Sequence, residues 1–218
     1  NIGVIFLNLE AYEKAEIELE RVLTLYHRPD QLNLTIRLHA MNEIAMVHEA
    51  LGNYIEAEPM LEELLQRRTQ SLGANHNDVI DAQIDLAIVY RRIGKLEQAE
   101  NRCTQSLSLL NDQNRTQDDP MLLRCMTELS RIYLASDKIQ QAESLARNTY
   151  ERSRLRFGAN NPKSLRRGQV LVECLGKLGR LDDAQDLSTQ IVSKLQLALG
   201  QSHPDTLGAM DSLANIAA

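Results

Sequence analysis

Tryptophan is absent from this sequence and phenylalanine occurs only twice in 218 residues. A core without large aromatics has to be filled by Leu, Ile, Val and Ala, which suits closely packed helices. Ten Gly and five Pro are too few to punctuate the many turns of a β-sandwich, and no stretch alternates polar and apolar for long. Leu, Ala, Glu, Gln and Arg, all good helix formers, are abundant instead. An all-α fold is therefore expected. No apolar run approaches the ~20 residues that span a bilayer, and the opening NIGVIFLNLEAYEKAE has neither a basic leader nor a cleavage site. The sequence reads as soluble and cytoplasmic, with no membrane partner.

Positive charge is also in deficit, with 24 Lys and Arg against 30 Asp and Glu and a formal net charge of −6. Neutralising nucleic-acid phosphates needs a net or strongly clustered positive field, so no nucleic-acid partner is expected. The three cysteines, Cys103, Cys125 and Cys174, are odd in number, lie inside helical patterns and form no C-x-x-C pair. They suggest neither a disulfide framework nor a zinc site. They are expected to be buried thiols acting as small apolar residues.

Self-similarity is the strongest feature present. LEAYEKAE (9–16), LGNYIEAE (51–58), IGKLEQAE (93–100), SDKIQQAE (136–143) and LGRLDDAQ (178–185) are one block repeated five times. Its alanines Ala15, Ala57, Ala99, Ala142 and Ala184 stand 42, 42, 43 and 42 residues apart. A second block, LGANHNDV (72–79), FGANNPKS (157–164) and LGQSHPDT (199–206), recurs between them. Glycines 52, 94 and 179 follow the last apolar residue of a helical pattern, where a left-handed residue ends a helix at little cost. The Ala that follows is the small side chain that lets two helices approach closely. On the preceding helix, Ile44-Ala45 with His48, Leu86-Ala87 with Tyr90, Leu129-Ser130 with Tyr133, and Leu171-Val172 with Leu175 repeat large, small, large on one stripe. In the second block, Asn-Asp, Asn-Pro and His-Pro supply N-capping side chains and stop the earlier helix. The chain thus alternates helix, tight turn, helix, longer turn.

These residues carry a resemblance. The turn with its Ala-Glu, the sequence Ala57-Glu58-Pro59-Met60-Leu61, and Leu199-Gly200 with His203-Pro204-Asp205-Thr206 resemble the long tetratricopeptide repeats of kinesin light chains. They are similar also to the arrays at the carboxy-terminus of STAND-type signal-transduction NTPases. The resemblance covers the whole chain and implies a right-handed superhelical solenoid of antiparallel helical hairpins. The repeats fall at about 1–30 (partial), 31–74, 75–117, 118–159, 160–201 and 202–218 (partial) of a single solenoid that is a fragment of a larger protein. Kinesin light chains carry paired Asn on the first helix of each repeat. Here the matching pairs are Asn42-Glu43, Ile84-Asp85, Thr127-Glu128, Gln169-Val170 and Asp211-Ser212, so their cargo-peptide specificity does not transfer. Pro59 predicts a local bend. NDQNRTQDDP (111–120) replaces the junction block at the one 43-residue spacing and predicts a longer, more mobile loop.

Function is expected on the concave face lined by the first helix of each repeat, as a module binding a protein or peptide. Outward positions there are His39, Asn42, Glu43 and Met46; Asp81, Asp85, Ile88 and Arg92; Arg124, Glu128 and Arg131; and Arg166, Gln169, Glu173 and Lys177. Arg124, Arg131, Arg166, Arg167 and Lys177 make the later repeats basic and suit a ligand with an acidic segment. The bland alternative is a solvated helix surface. The second functional reading is an intramolecular regulatory, sensor or oligomerisation region of a larger enzyme. Apolar residues at the ends, Ile2, Val4, Ile5, Phe6, Leu7 and Ala214 to Ala218, allow self-association. No catalytic set is found, and no cofactor or metal is implied: His27, His39 and His48 lack a metal-ligand spacing, and Asn75 to Asp78 sits at a capping point of the repeat.

Overall fold

A computed structural model describes residues 2–25, 31–113 and 115–217. Their ten helices are α1 (Ile2–Leu25), α2 (Gln31–Leu51), α3 (Tyr54–Leu72), α4 (Asn77–Arg92), α5 (Leu96–Asp112), α6 (Pro120–Ala135), α7 (Ile139–Phe157), α8 (Pro162–Lys177), α9 (Leu181–Leu199) and α10 (Pro204–Ala217). No strand occurs among the described residues. None of the helices is long and apolar enough to cross a membrane. Packing divides the chain into two compact units, Asn1–Arg102 and Cys103–Ala218, with the division inside α5. In the first, α2 packs on α1 and α3, and α3 on α4. In the second, α6 through α10 pack each on the next in sequence, and α8 also touches both α6 and α10.

The tight turns have one construction. At the end of α2, Asn53 N–H donates to His48 O at 2.8 Å and Gly52 N–H to Glu49 O at 3.2 Å. The same two bonds recur after α4 from Lys95 and Gly94, after α6 from Lys138 and Asp137, and after α8 from Arg180 and Gly179. They satisfy carbonyls that a helix end otherwise leaves open, and they require a left-handed residue between them. Glycine supplies it at three turns; Asp137 supplies it at the fourth, with φ 59.

Beyond each turn the repeated alanine is fully covered. Ala57, Ala99, Ala142 and Ala184 have no exposed surface, while Ala15 is half-buried. Side-chain oxygens and ring nitrogens close the other helix starts. Asp119 accepts from Met121 and Leu122 N–H, Asn161 from Lys163 N–H, and the Nδ1 atoms of His76 and His203 from Asp78 and Asp205 N–H. At the α4 start the cap is thus His76, one residue before the expected Asn-Asp pair. The helix α3 runs through Pro59 without interruption. The seven residues between α5 and α6 form the longest connection in the second unit. They are tied to α7, where Arg152 donates to Gln117 O at 3.4 Å and Arg156 pairs with Asp118 at 3.6 Å.

All three thiols are buried. A hydrogen bond with the Cys125 thiol, then burial, push Cys103 far up; burial, then Glu173 and Glu143, push Cys174 up to about 12. Tyr90 donates to Glu62 Oε1 at 2.6 Å, and burial together with that bond raises its phenol to about 12.

Three outcomes follow. Asp137→Gly removes the strain of a left-handed non-glycine residue and should stabilise the chain by about 0.5–1 kcal/mol, read as a higher denaturant midpoint. A thiol reagent at pH 8 should label no cysteine in the native chain and all three after denaturation in guanidinium, since only the thiolate reacts. The folded state favours neutral Tyr90, so this contribution is complete below pH 10 and lost as pH rises from 10 toward 12. Alkaline titration of stability should show that loss in the parent and a smaller one in Tyr90→Phe.

Candidate functional site

The first helices of the hairpins are α2 and α4 in one unit and α6, α8 and α10 in the other. The repeat spacing gives His39, Asp81, Arg124, Arg166 and Gly208 one repeat position, and Met46, Ile88, Arg131, Glu173 and Asn215 a second. All ten are at least partly exposed. In the first unit, Arg68 of α3 donates to Asn42 Oδ1 at 3.4 Å, and Asn42 Nδ2 lies 3.6 Å from Met46 Sδ. Glu43 is half-buried. Exposed Arg92 stacks over the Tyr54 ring at 5.6 Å.

Two of the expected outward residues are not outward. Asp85 is 8% exposed and Glu128 is 2% exposed. Both occupy a third repeat position, Glu43, Asp85, Glu128, Val170 and Ser212, and its apolar member Val170 is 1% exposed. Glu43 and Ser212 at the same repeat position are half-buried. Carboxylates there read as surface residues until the spacing sets them beside a valine. Glu128 keeps a contact with the partly exposed Arg131 at 3.6 Å.

In the second unit the first-helix face holds a cavity of about 620 Å³. Glu173, Lys177, Ser212 and Asn215 give it polar groups, and Leu134, Val172, Leu181 and Ile216 give it apolar walls. Of the expected residues, Glu173 and Lys177 therefore share one cavity. Arg166 and Gln169 do not reach it: Arg166 pairs with Asp205 Oδ2 at 3.5 Å, and Gln169 Nε2 donates to Asp205 O at 3.4 Å. The α10 walls were missing from the sequence reading. Continuing the spacing of 42 residues from Glu173 reaches Asn215, so the signal was available.

A smaller cavity of about 300 Å³ lies between α7, α8 and α9. Two of its cations are already paired: Arg147 donates to Glu143 at 2.9 Å, and Arg180 pairs with Asp183 at 2.6 Å. It offers a ligand little that is unspent. Among the described residues no group of three or more His, Cys, Asp or Glu could hold a metal ion; His27 lies outside them. His48 is buried against α1, 3.4 Å from Glu16. The side chains of Ile2 to Leu7, and Ala218, also lie outside the described residues. Ala214 is exposed, as are Leu207 and Met210.

Comparison with solved structures finds the same architecture. The kinesin light chain nearly identical TPR-like repeats of Podosopora anserina superpose with a TM-score of 0.67 at 23% identity, covering 83% of this chain and 85% of that one. BtubC (BKLC) from P. vanneervenii gives 0.70 at 18% identity, covering 95% and 81%. The Rap conjugation gene regulator of plasmid pLS20, solved with the Phr* peptide, gives 0.65 at 16%, covering 95% of this chain and 57% of that one. At these identities the likeness is one of fold. Comparison with curated protein sequences returned no match. Tetratricopeptide-repeat models match residues 36–112 and 122–163, together more than half of the chain, and with the hairpins, turns and buried alanines described above they establish that it belongs to the tetratricopeptide-repeat family.

Proposed function

We propose that this chain is a protein-interaction module whose second unit receives a segment of a partner polypeptide along the face formed by α6, α8 and α10. An apolar side chain of that segment enters the 620 Å³ cavity, and its acidic residues lie toward the basic side chains of α6 and α8. The observation that carries this reading is the cavity itself. It joins apolar walls to a few convergent polar groups, the usual composition of a recognition pocket. Lys177 stands at its edge beside Glu173, so a peptide backbone or carboxylate meets a donor and an acceptor together. The family's fold suits such a task, because stacked hairpins present extended rows of side chains. The pLS20 regulator was solved with a peptide, which is support of the same kind. No step of the reading calls on catalysis.

Gly176 offers a direct test. It lines the cavity, and a Cβ added there meets nothing within 4 Å. Gly176→Phe should fill the space while leaving the hairpin intact, and replacing a helical glycine should preserve or raise stability. A protein captured from native extract by the parent chain and then purified should bind the variant at least about tenfold more weakly, or ~1.4 kcal/mol, by calorimetry. Equal affinity for both, with both folded by circular dichroism, would remove the cavity from the reading.

A further inference from the structure

One position breaks the repeat. Ala40, Ala82, Cys125 and Ala209 occupy it in the other hairpins, and all four are buried. In α8 the residue is Arg167. Opposite it, at the position where α3 carries Arg68 and α5 and α9 carry buried Leu110 and Leu195, α7 carries Ser153. Arg167 Nη1 donates to Lys163 O at 2.8 Å and reaches Ser153 Oγ at 3.4 Å. Ser153 donates in turn to Ser164 Oγ at 3.1 Å. The guanidinium lies 5.7 Å from the centre of the Phe157 ring, which Lys163 also overhangs at 5.6 Å. Its Nε is buried with no hydrogen-bond partner. No carboxylate pairs with Arg167 among the described residues. Burial, then the neighbouring Arg166 and Arg131, push its guanidinium down to about 10.

The local charge does not cancel. Arg131 has Glu128 at 3.6 Å and Arg166 has Asp205 at 3.5 Å. Among the described residues, neither Arg167 nor Lys163 pairs with a carboxylate. Four cations against two carboxylates leave two positive charges. A half-buried cation with an unsatisfied donor costs stability. A phosphoryl group carries about −1.5 to −2 charges at neutral pH and three acceptor oxygens. It matches both the excess charge and donors that come from two helices rather than from one plane, which a carboxylate's two oxygens match less well.

We propose that Arg167, flanked by Arg131, Lys163 and Arg166, forms a binding site for the phosphoryl group of a phosphorylated partner segment. The site is separate from the α8–α10 cavity. It rests on the reading above only in taking the phosphoryl group from a polypeptide, and that reading can fail while phosphate binding stands.

The first probe is inorganic phosphate, titrated against the full chain at constant ionic strength with chloride as the balancing anion. The thermal midpoint should climb with phosphate and saturate in the parent chain. In Arg167→Ala, which restores the alanine of the other hairpins, the unliganded midpoint should stay level or rise and the specific climb should disappear. An equal climb in both would overturn the site, since a general salt effect needs no arginine. If Arg167→Ala does not fold, the double variant Lys163→Ala/Arg166→Ala, altered only at exposed residues, should weaken phosphate binding tenfold or more; unchanged binding would overturn the proposal. The second probe is a short phosphoserine peptide beside its serine and aspartate forms. Binding at least tenfold tighter for the phosphorylated form supports the source proposed here. Equal binding of all three overturns that source even where inorganic phosphate binds.

Discussion

Two helices of one hairpin can lie close only where a methyl group or less stands between them. The fully covered alanines 57, 99, 142 and 184 set that separation, and the rest of each unit is arranged around it. Because the crossing is tight, the turn before it must be short. Because the turn is short, it needs a left-handed residue and the paired backbone bonds that close on His48, Tyr90, Tyr133 and Leu175. Those bonds fix where the next helix starts, and hence which rows of side chains face outward. A hairpin so built still leaves an apolar stripe on each helix, and stacking on neighbours is how the stripe is buried. Gly168 shows the limit of the same constraint: a Cβ there would come within 2.8 Å of Ile191 and 3.0 Å of the Tyr150 ring.

Much of this was legible because periodicity and local chemistry agreed. The spacing of the alanines gave the repeat, glycines gave three of the tight turns, and Asn161 and His203 gave caps, whereas at α4 the cap is His76, ahead of the expected Asn77-Asp78 pair. The site was harder to read. Outward positions on α6 and α8 were found one helix at a time, and an acidic residue on a helix reads as solvated. Asp85 and Glu128 failed that test because they share a repeat position with buried Val170, a relation visible only when the three are placed in register. The cavity needed α10, which contributes Ser212, Asn215 and Ile216 but reads in the sequence as a short remnant. The 43-residue spacing marked a longer connection, yet nothing in NDQNRTQDDP indicated that Arg152 and Arg156 reach it from α7.

Repetition also gives meaning to departures. In an isolated helix Arg167 would be one more surface arginine. Against Ala40, Ala82, Cys125 and Ala209 it becomes a charged residue in a place held by small ones, with Ser153 opposite. The acidic balance of the whole chain hides this, since the −6 net charge is an average over surfaces of different sign.

The two histidine caps give the fold a feature that neither asparagine nor aspartate would. His76 and His203 hold their helix starts by accepting a backbone proton at Nδ1, which fixes the hydrogen of each ring on Nε2. Two of the first helices therefore begin at a nitrogen whose lone pair is needed. Asp119 and Asn161, at the same point of the neighbouring hairpins, cap with an oxygen and have no ring hydrogen to place. Residues that are interchangeable as ends of a helix are thus distinct as chemical groups, and two of these four helix starts rest on imidazoles held in a single tautomer.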